Sequence, residues 1–268
     1  PASSKMSLPP LVGNISFKNL AVAPPGEKTA TLQGVTAEIP AGSVCMILGP
    51  SGSGKSTLMR ALLGLWPAVA GEVRLDGAEP NNFDRVELGD QLGYLPQDIE
   101  LLDGSINSNI ARFGAIDSEA VIRAATDAGV HEFILSLPNG YDTEIGKRGG
   151  VLSPGQRQRI GLARALYRQP RLVVLDEPNS NLDDVGEAAL HQAVMGLKAN
   201  GSTVLLVSHR KSTLPLADYL LVLVGGRLRQ FGKTAEVLEK LKGPKSENSS
   251  DTTVVPAIRP STVIAKKD

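Results

Sequence analysis

From Asn14 to Ile39, apolar residues recur in short runs (Ile15, Phe17, Leu20, then Leu32, Val35, Ile39) broken by Pro24-Pro25-Gly26. Alternation interrupted by turn residues predicts an antiparallel edge sheet. Val44 to Leu48 is apolar throughout, which predicts a strand buried on both faces. A glycine-rich loop follows, then a predicted helix from Lys55 to about Gly64. Arg74-Leu75-Asp76-Gly77 predicts a strand ending in a turn. Between about Gln97 and Arg168 the pattern becomes helical: Asp117 stands as an N-cap before Ala120, Val121 and Ile122, and Ser153 starts a helix running to about Tyr167. Strand and helix then alternate: Leu172–Leu175, a helix from about Val185 to Lys198, Thr203–Val207, Tyr219–Val224 and Arg227–Phe231. Such alternation predicts an α/β fold with a mostly parallel sheet covered on both sides.

Both ends break the pattern. Residues 1–12 read as a linker of Pro, Ser and Lys without periodicity, and residues 243–268, rich in Ser, Asn, Thr, Pro and Lys, are expected to be disordered. Residues 13–242 between them are expected to form the domain, with a helical subdomain over about 97–168. The chain starts at Pro1 and no signal peptide is expected. Its apolar runs, such as Leu220 to Val224 and Leu172 to Leu175, fall far short of the roughly 20 residues that span a bilayer. No internal repeat is evident.

Charge and cysteine narrow the partners. With 28 basic and 28 acidic side chains, the balance gives no general argument for nucleic acid. The single cysteine, Cys45, lies in the apolar run Val44-Cys45-Met46-Ile47-Leu48 and reads as core filler in a reducing compartment.

Gly49-Pro50-Ser51-Gly52-Ser53-Gly54-Lys55-Ser56, continuing into Thr57, matches G-x-x-x-x-G-K-[ST] between an apolar strand and a helix. Its glycines let backbone N–H groups wrap a phosphate, and the helix adds its positive dipole end. Lys55 is expected to meet the β- and γ-phosphates, and the Ser56 hydroxyl to ligate Mg²⁺. Leu172-Val173-Val174-Leu175-Asp176-Glu177 is the matching second half: a buried strand with two carboxylates at its carboxyl end, where open α/β sheets bind ligands. Asp176 is expected to hold Mg²⁺ through water, and Glu177 to orient or deprotonate the attacking water.

Leu152-Ser153-Pro154-Gly155-Gln156, followed by Arg157-Gln158-Arg159, resembles the signature motif of the ATP-binding cassette (ABC) ATPases. Gln97, in Tyr94-Leu95-Pro96-Gln97, resembles the family's Q-loop glutamine, which senses Mg²⁺ and the attacking water. Ser180-Asn181-Leu182-Asp183 looks like the D-loop, and His209 resembles the switch histidine that contacts the γ-phosphate. His131 and His191 match nothing and read as surface or packing residues. The resemblance covers about residues 13–242 and implies a P-loop NTPase of the ABC-ATPase fold, with a parallel core, an antiparallel β subdomain and a helical signature subdomain. It implies ATP and Mg²⁺ as cofactors and a catalytic set of Glu177, His209 and Gln97. Ser153, Gly155, Gln156 and Asp183 would complete the nucleotide site of a second copy, in an ATP-dependent head-to-tail dimer.

The subtype is also legible by resemblance. Thr143-Glu144-Ile145-Gly146-Lys147-Arg148-Gly149 resembles the exporter X-loop, which touches the transmembrane domain. The stretches Gly93 to Leu101, Asn181 to Leu190 and Ala23-Pro24-Pro25-Gly26 look most like type I secretion exporters of the protease and RTX-toxin kind. That implies polypeptide export, a transmembrane domain of the same transporter missing from this chain, a periplasmic adaptor and an outer-membrane channel. It places the chain at the cytoplasmic face of the bacterial inner membrane. Lipid or small-molecule export is the close variant. A soluble nucleotide-sensing ABC protein, or one acting on nucleic acid or ribosomes, is the alternative of another class. Two departures from the family pattern stand out. No aromatic residue lies between Phe17 and Trp66 to stack on a base, and Pro154 occupies the usual third glycine of the signature. With Ser153 at N-cap, Pro154 at N1 and Gln156 at N3, a capping box is expected to accommodate that proline.

Overall fold

The computed structural model describes residues 9–27, 29–146 and 152–242. In chain order, β1 (Ile15–Val22) and β2 (Leu32–Ile39) are followed by β3 (Val44–Leu48), α1 (Lys55–Leu62) and β4 (Ala68–Leu75). Next come α2 (Arg85–Gln91), β5 (Leu92–Leu95), β6 (Gly104–Ser105), α3 (Ile106–Ile110), α4 (Ser118–Asp127), α5 (His131–Leu135) and β7 (Glu144–Ile145). The chain continues through α6 (Pro154–Leu166), β8 (Leu172–Asp176), α7 (Asp184–Ala199), β9 (Thr203–Val207), β10 (Tyr219–Val224), β11 (Arg227–Lys233) and α8 (Thr234–Lys242).

The central sheet runs β11-β10-β3-β9-β8-β5, parallel from β10 to β5, with β11 antiparallel at one edge. Because successive strand residues point to opposite faces, the apolar runs feed two different cores. Val173 and Leu175 of β8, with Val204 and Leu206 of β9, pack into a cluster with Leu95, Ile110, Ile160 and Leu190. Leu172, Val174, Leu205 and Val207 face the other way, toward Met59, Leu62 and Phe17. Cys45 joins that second cluster, fully buried, and burial pushes its thiol pKa up. Met46, Leu220 and Val222 meet Val237 of α8 in a third, smaller cluster.

A second sheet, β2-β1-β4, is antiparallel. It is tied to the β10–β11 hairpin, where Gln33 N–H donates to the Gly226 carbonyl at 2.8 Å. Helices α3 to α6 pack on one another as the pattern requires, and they carry the short antiparallel pair β6–β7, which no periodicity announces.

Three sequence expectations shift. Leu11 is buried, and the Val12, Gly13 and Asn14 amides bond the Asp76 carboxylate, so the packed body starts before residue 13. α1 ends at Leu62 rather than about Gly64, and β4 begins at Ala68, well before Arg74. The rest of the linker (1–8), the tail (243–268) and Lys147, Arg148 and Gly149 of the X-loop-like stretch lie outside the described residues.

Candidate functional site

The glycine-rich loop turns from β3 into α1, and its shape depends on Gly49. A Cβ there would stand 2.2 Å from the Leu223 carbonyl of β10, so only glycine lets the loop pass so close. The Lys55 ammonium folds back over the loop, donating to the carbonyls of Gly49 (2.8 Å) and Pro50 (2.9 Å). Burial pulls its pKa down, opposed by the Glu177 and Asp176 carboxylates. The Ser53 amide closes the turn on the Pro50 carbonyl at 3.2 Å, and its hydroxyl is buried with no partner among the described residues.

The loop borders a cleft of about 200 Å³ lined by Thr31, Ser51, Gly52, Gly54, Lys55, Ser56, Thr57, Gln97, Asp176, Glu177 and His209. The fold thus brings one wall from the loop and α1, one from the ends of β5 and β8, and one from His209, two residues past the end of β9. Ser56 Oγ donates to Asp176 Oδ2 at 3.3 Å. Asp176 is 4% exposed, and burial pushes its carboxyl up, with the Ser56 hydroxyl pulling the other way. A hydroxyl beside a buried carboxylate, next to a loop of amides at a helix N-terminus, is a donor set that suits a phosphate chain and its divalent cation.

Glu177 stands at the mouth. Gln97 Nε2 donates to Glu177 Oε2 at 3.3 Å, and His209 Nε2 lies 3.1 Å from Glu177 Oε1, so each carboxylate oxygen has its own partner. The Glu177 backbone is left-handed (φ 50°), with its N–H donated to the Val207 carbonyl at 2.9 Å. That conformation costs on the order of 1–3 kcal/mol, and it aims the carboxylate across the strand ends toward Gln97 and His209.

Ser153, Gly155, Gln156 and Asp183 do not line this cleft. Ser153 caps α6: its Oγ accepts from Gln156 N–H at 3.2 Å, and Gln156 Oε1 accepts from Ser153 N–H at 2.8 Å, the capping box expected around Pro154. Asp183 caps α7 through Gly186 N–H at 2.8 Å. A Cβ on Gly155 would lie 2.9 Å from the Asn181 carbonyl, and Gln158 Nε2 donates to Pro178 O, so the start of α6 leans on the segment after Glu177. Of the other histidines, His131 Nδ1 bonds the Tyr141 hydroxyl at 2.7 Å and neither it nor His191 lines the cleft. Thr31 is the cleft residue that no motif marks. It reaches the site because Gly226, where a Cβ would stand 2.0 Å from the Thr31 carbonyl, lets this loop settle on the β10–β11 turn.

Strand order, glycine loop, paired carboxylates and cleft define a P-loop protein built on a mostly parallel sheet. Residues 32–180 match the model of the ABC transporter family, and the chain belongs to that family. It is 48% identical, over 91% of its length, to the type I secretion system ATP-binding protein PrsD of Rhizobium meliloti (strain 1021), and 40% identical over 89% to the leukotoxin translocation ATP-binding protein LktB of Mannheimia haemolytica. The multidrug resistance protein sirA of Leptosphaeria maculans is 39% identical over 84% of the chain. The fold superposes on a bacterial Atm1-family ABC exporter with ATP bound at a TM-score of 0.82 and 32% identity, covering 89% of this chain and 42% of that one. The chain spans 42% of PrsD and 34% of LktB, less than half of either.

Proposed function

We propose that this chain is the ATP-binding and ATP-hydrolysing module of an ABC exporter that moves polypeptide by type I secretion. The observation that carries the reading is the Glu177 carboxylate held between Gln97 and His209 at the mouth of a cleft walled by Lys55, Ser56 and Asp176. When bound, MgATP supplies the phosphoanhydride to be cleaved and a Lewis acid beside it. Lys55 offers its ammonium to the terminal phosphates, in exchange for two loop carbonyls. Ser56 and Asp176, with Gln97, would hold the cation, and the backbone N–H groups of the 49–57 loop, Pro50 excepted, would cradle the phosphates. Glu177 accepts the proton of the attacking water at a carboxylate oxygen, while Gln97 and His209 fix that carboxylate and watch the γ-phosphate.

Ser153, Gly155, Gln156 and Asp183 act on the site of a second copy, since none faces the cleft of its own chain. We further infer that a transmembrane domain completes the transporter, with the module at the cytoplasmic face of a bacterial inner membrane and a periplasmic adaptor and an outer-membrane channel beyond. PrsD and LktB support polypeptide as the cargo.

The test is turnover. Wild type hydrolyses MgATP, and Glu177→Gln loses at least about a hundredfold in kcat, in the range set by removing a general base, while still binding nucleotide. Equal turnover in the two proteins, or none in wild type, would sink the reading.

A further inference from the structure

Arg112 lies outside the cleft, just past α3, yet its guanidinium meets four backbone carbonyls. Nε donates to Arg164 O at 3.0 Å, Nη1 to Gly89 O at 2.7 Å and Leu92 O at 2.8 Å, and Nη2 to Ala165 O at 3.2 Å. Gly89 belongs to the last turn of α2, and Arg164 and Ala165 to the last turn of α6, where carbonyls have no intrahelical partner and the helix dipole is negative. One cation therefore closes two helix ends at once. Among the described residues it forms no salt bridge, though the Asp90 carboxylate acts on it from farther off. The backbone that delivers it is costly: Arg112 and Phe113 are both left-handed, at φ 57° and 58°.

The two anchored ends frame the strand that carries Gln97. Leu92, whose carbonyl Arg112 holds, opens β5, and Gln97 follows two residues after β5 ends. At Gly93 the strand presses on α6 so closely that a Cβ would stand 2.1 Å from the Ala165 carbonyl. Further along, a Cβ on Gly161 would stand 3.0 Å from Leu95 and Ile99, and Arg164 Nη1 donates to the Glu100 carbonyl at 2.9 Å. Both flanks of Gln97 thus rest on α6. Arg112 is the only one of these ties that also grips α2, which leads directly into β5.

We propose that Arg112 is a positioning residue for Gln97, setting where the Gln97 amide stands against the Glu177 carboxylate by fastening α2 and β5 to the end of α6. The proposal rests on the ATP-hydrolysing role proposed above. Arg112 touches neither the cleft nor nucleotide, so its loss leaves the affinity for metal-free ATP intact and slows the chemical step.

A double-mutant cycle on the 268-residue chain tests this. Arg112→Gln is expected to lower kcat by about tenfold or more, the worth of one charged hydrogen bond, with the affinity for ATP measured without Mg²⁺ changed less than about twofold. In a Gln97→Ala background the same substitution is expected to cost almost nothing further, because the residue it acts through is gone. Arg112→Lys keeps the charge and the fold, yet its single ammonium cannot span four carbonyls. It gives the same signature, smaller in size, and serves if Arg112→Gln does not fold. Additive losses, unchanged kcat, or a parallel fall in affinity overturn the positioning role. Absent turnover in wild type instead removes the ATPase reading, and this proposal with it.

Discussion

At the scale of single residues, the cleft is held by contacts that each serve one atom. Glu177 divides its two oxygens between Gln97 and His209, and Ser56 reaches Asp176 across the gap between α1 and β8. What the cleft lacks is equally specific: its described lining contains no Phe, Tyr or Trp, and Thr31 stands on the side contributed by the β1–β2 connection. Pro24, on that connection, is half-buried in a turn closed by Glu27 N–H on the Pro24 carbonyl. Without a ring to stack on the base, phosphate contacts dominate binding, and those are identical for ATP and GTP. The kcat/KM values for the two nucleotides are expected to agree within about tenfold, equivalent to some 1.4 kcal/mol. Steady-state assays with each nucleotide decide it, and a larger preference for ATP would point to base recognition by another group. The motif residues were legible in the sequence because each carries its chemistry in its type and its neighbours. Thr31 and Arg112 were not: Arg112 matters through carbonyls 20 to 53 positions away and Thr31 through a loop's resting place, and a chain read in order holds no trace of either.

The element that decides the second half of the site is α6. Its first turn holds Ser153, Pro154 and Gln156 in a capping box, and its last turn meets Arg112. Proline at N1 removes an N–H that has no intrahelical partner and presets φ, so it strengthens the helix start. Pro154→Gly is accordingly expected to destabilise the chain by about 1 kcal/mol, through the freedom it returns to the unfolded state. Thermal unfolding would register this as a loss of about 2–4 °C in Tm, and a rise in Tm would show that the proline strains the turn. The start of α6 was readable because N-cap, proline and Gln156 fall at fixed offsets. Shorter elements left weaker marks. α2 buries only Leu88 and α8 only Val237, too little to set up a period. The first half of β4 is exposed, so only its last residues show the alternation of a strand.

For the molecule as a whole, the proposed function leaves the nucleotide site half built by one chain. Lys55, Ser56, Asp176 and Glu177 converge on one cleft, whereas Ser153 and Gly155 sit at the start of α6, Gly155 against the Asn181 carbonyl, and neither lines that cleft. On that proposal the start of α6 reaches a phosphate on another copy, and two-fold symmetry would then yield two equivalent sites. The alternation of strand and helix made the sheet legible, the ordered motifs made the cleft legible, and the family resemblance already implied that the start of α6 serves a second copy. Glu177→Gln keeps the cleft's shape while removing the base, so it should trap the closed state. Light scattering on a sizing column is expected to give monomer mass without nucleotide and dimer mass with MgATP. Ser153→Arg, which sets a bulky cation at that helix start, is expected to return the ATP-bound Glu177→Gln protein to monomer. A persistent monomer would mean that closure needs the transmembrane domain or the third signature glycine that Pro154 replaces, and a dimer that ignores nucleotide would mean that the interface lies elsewhere on the surface.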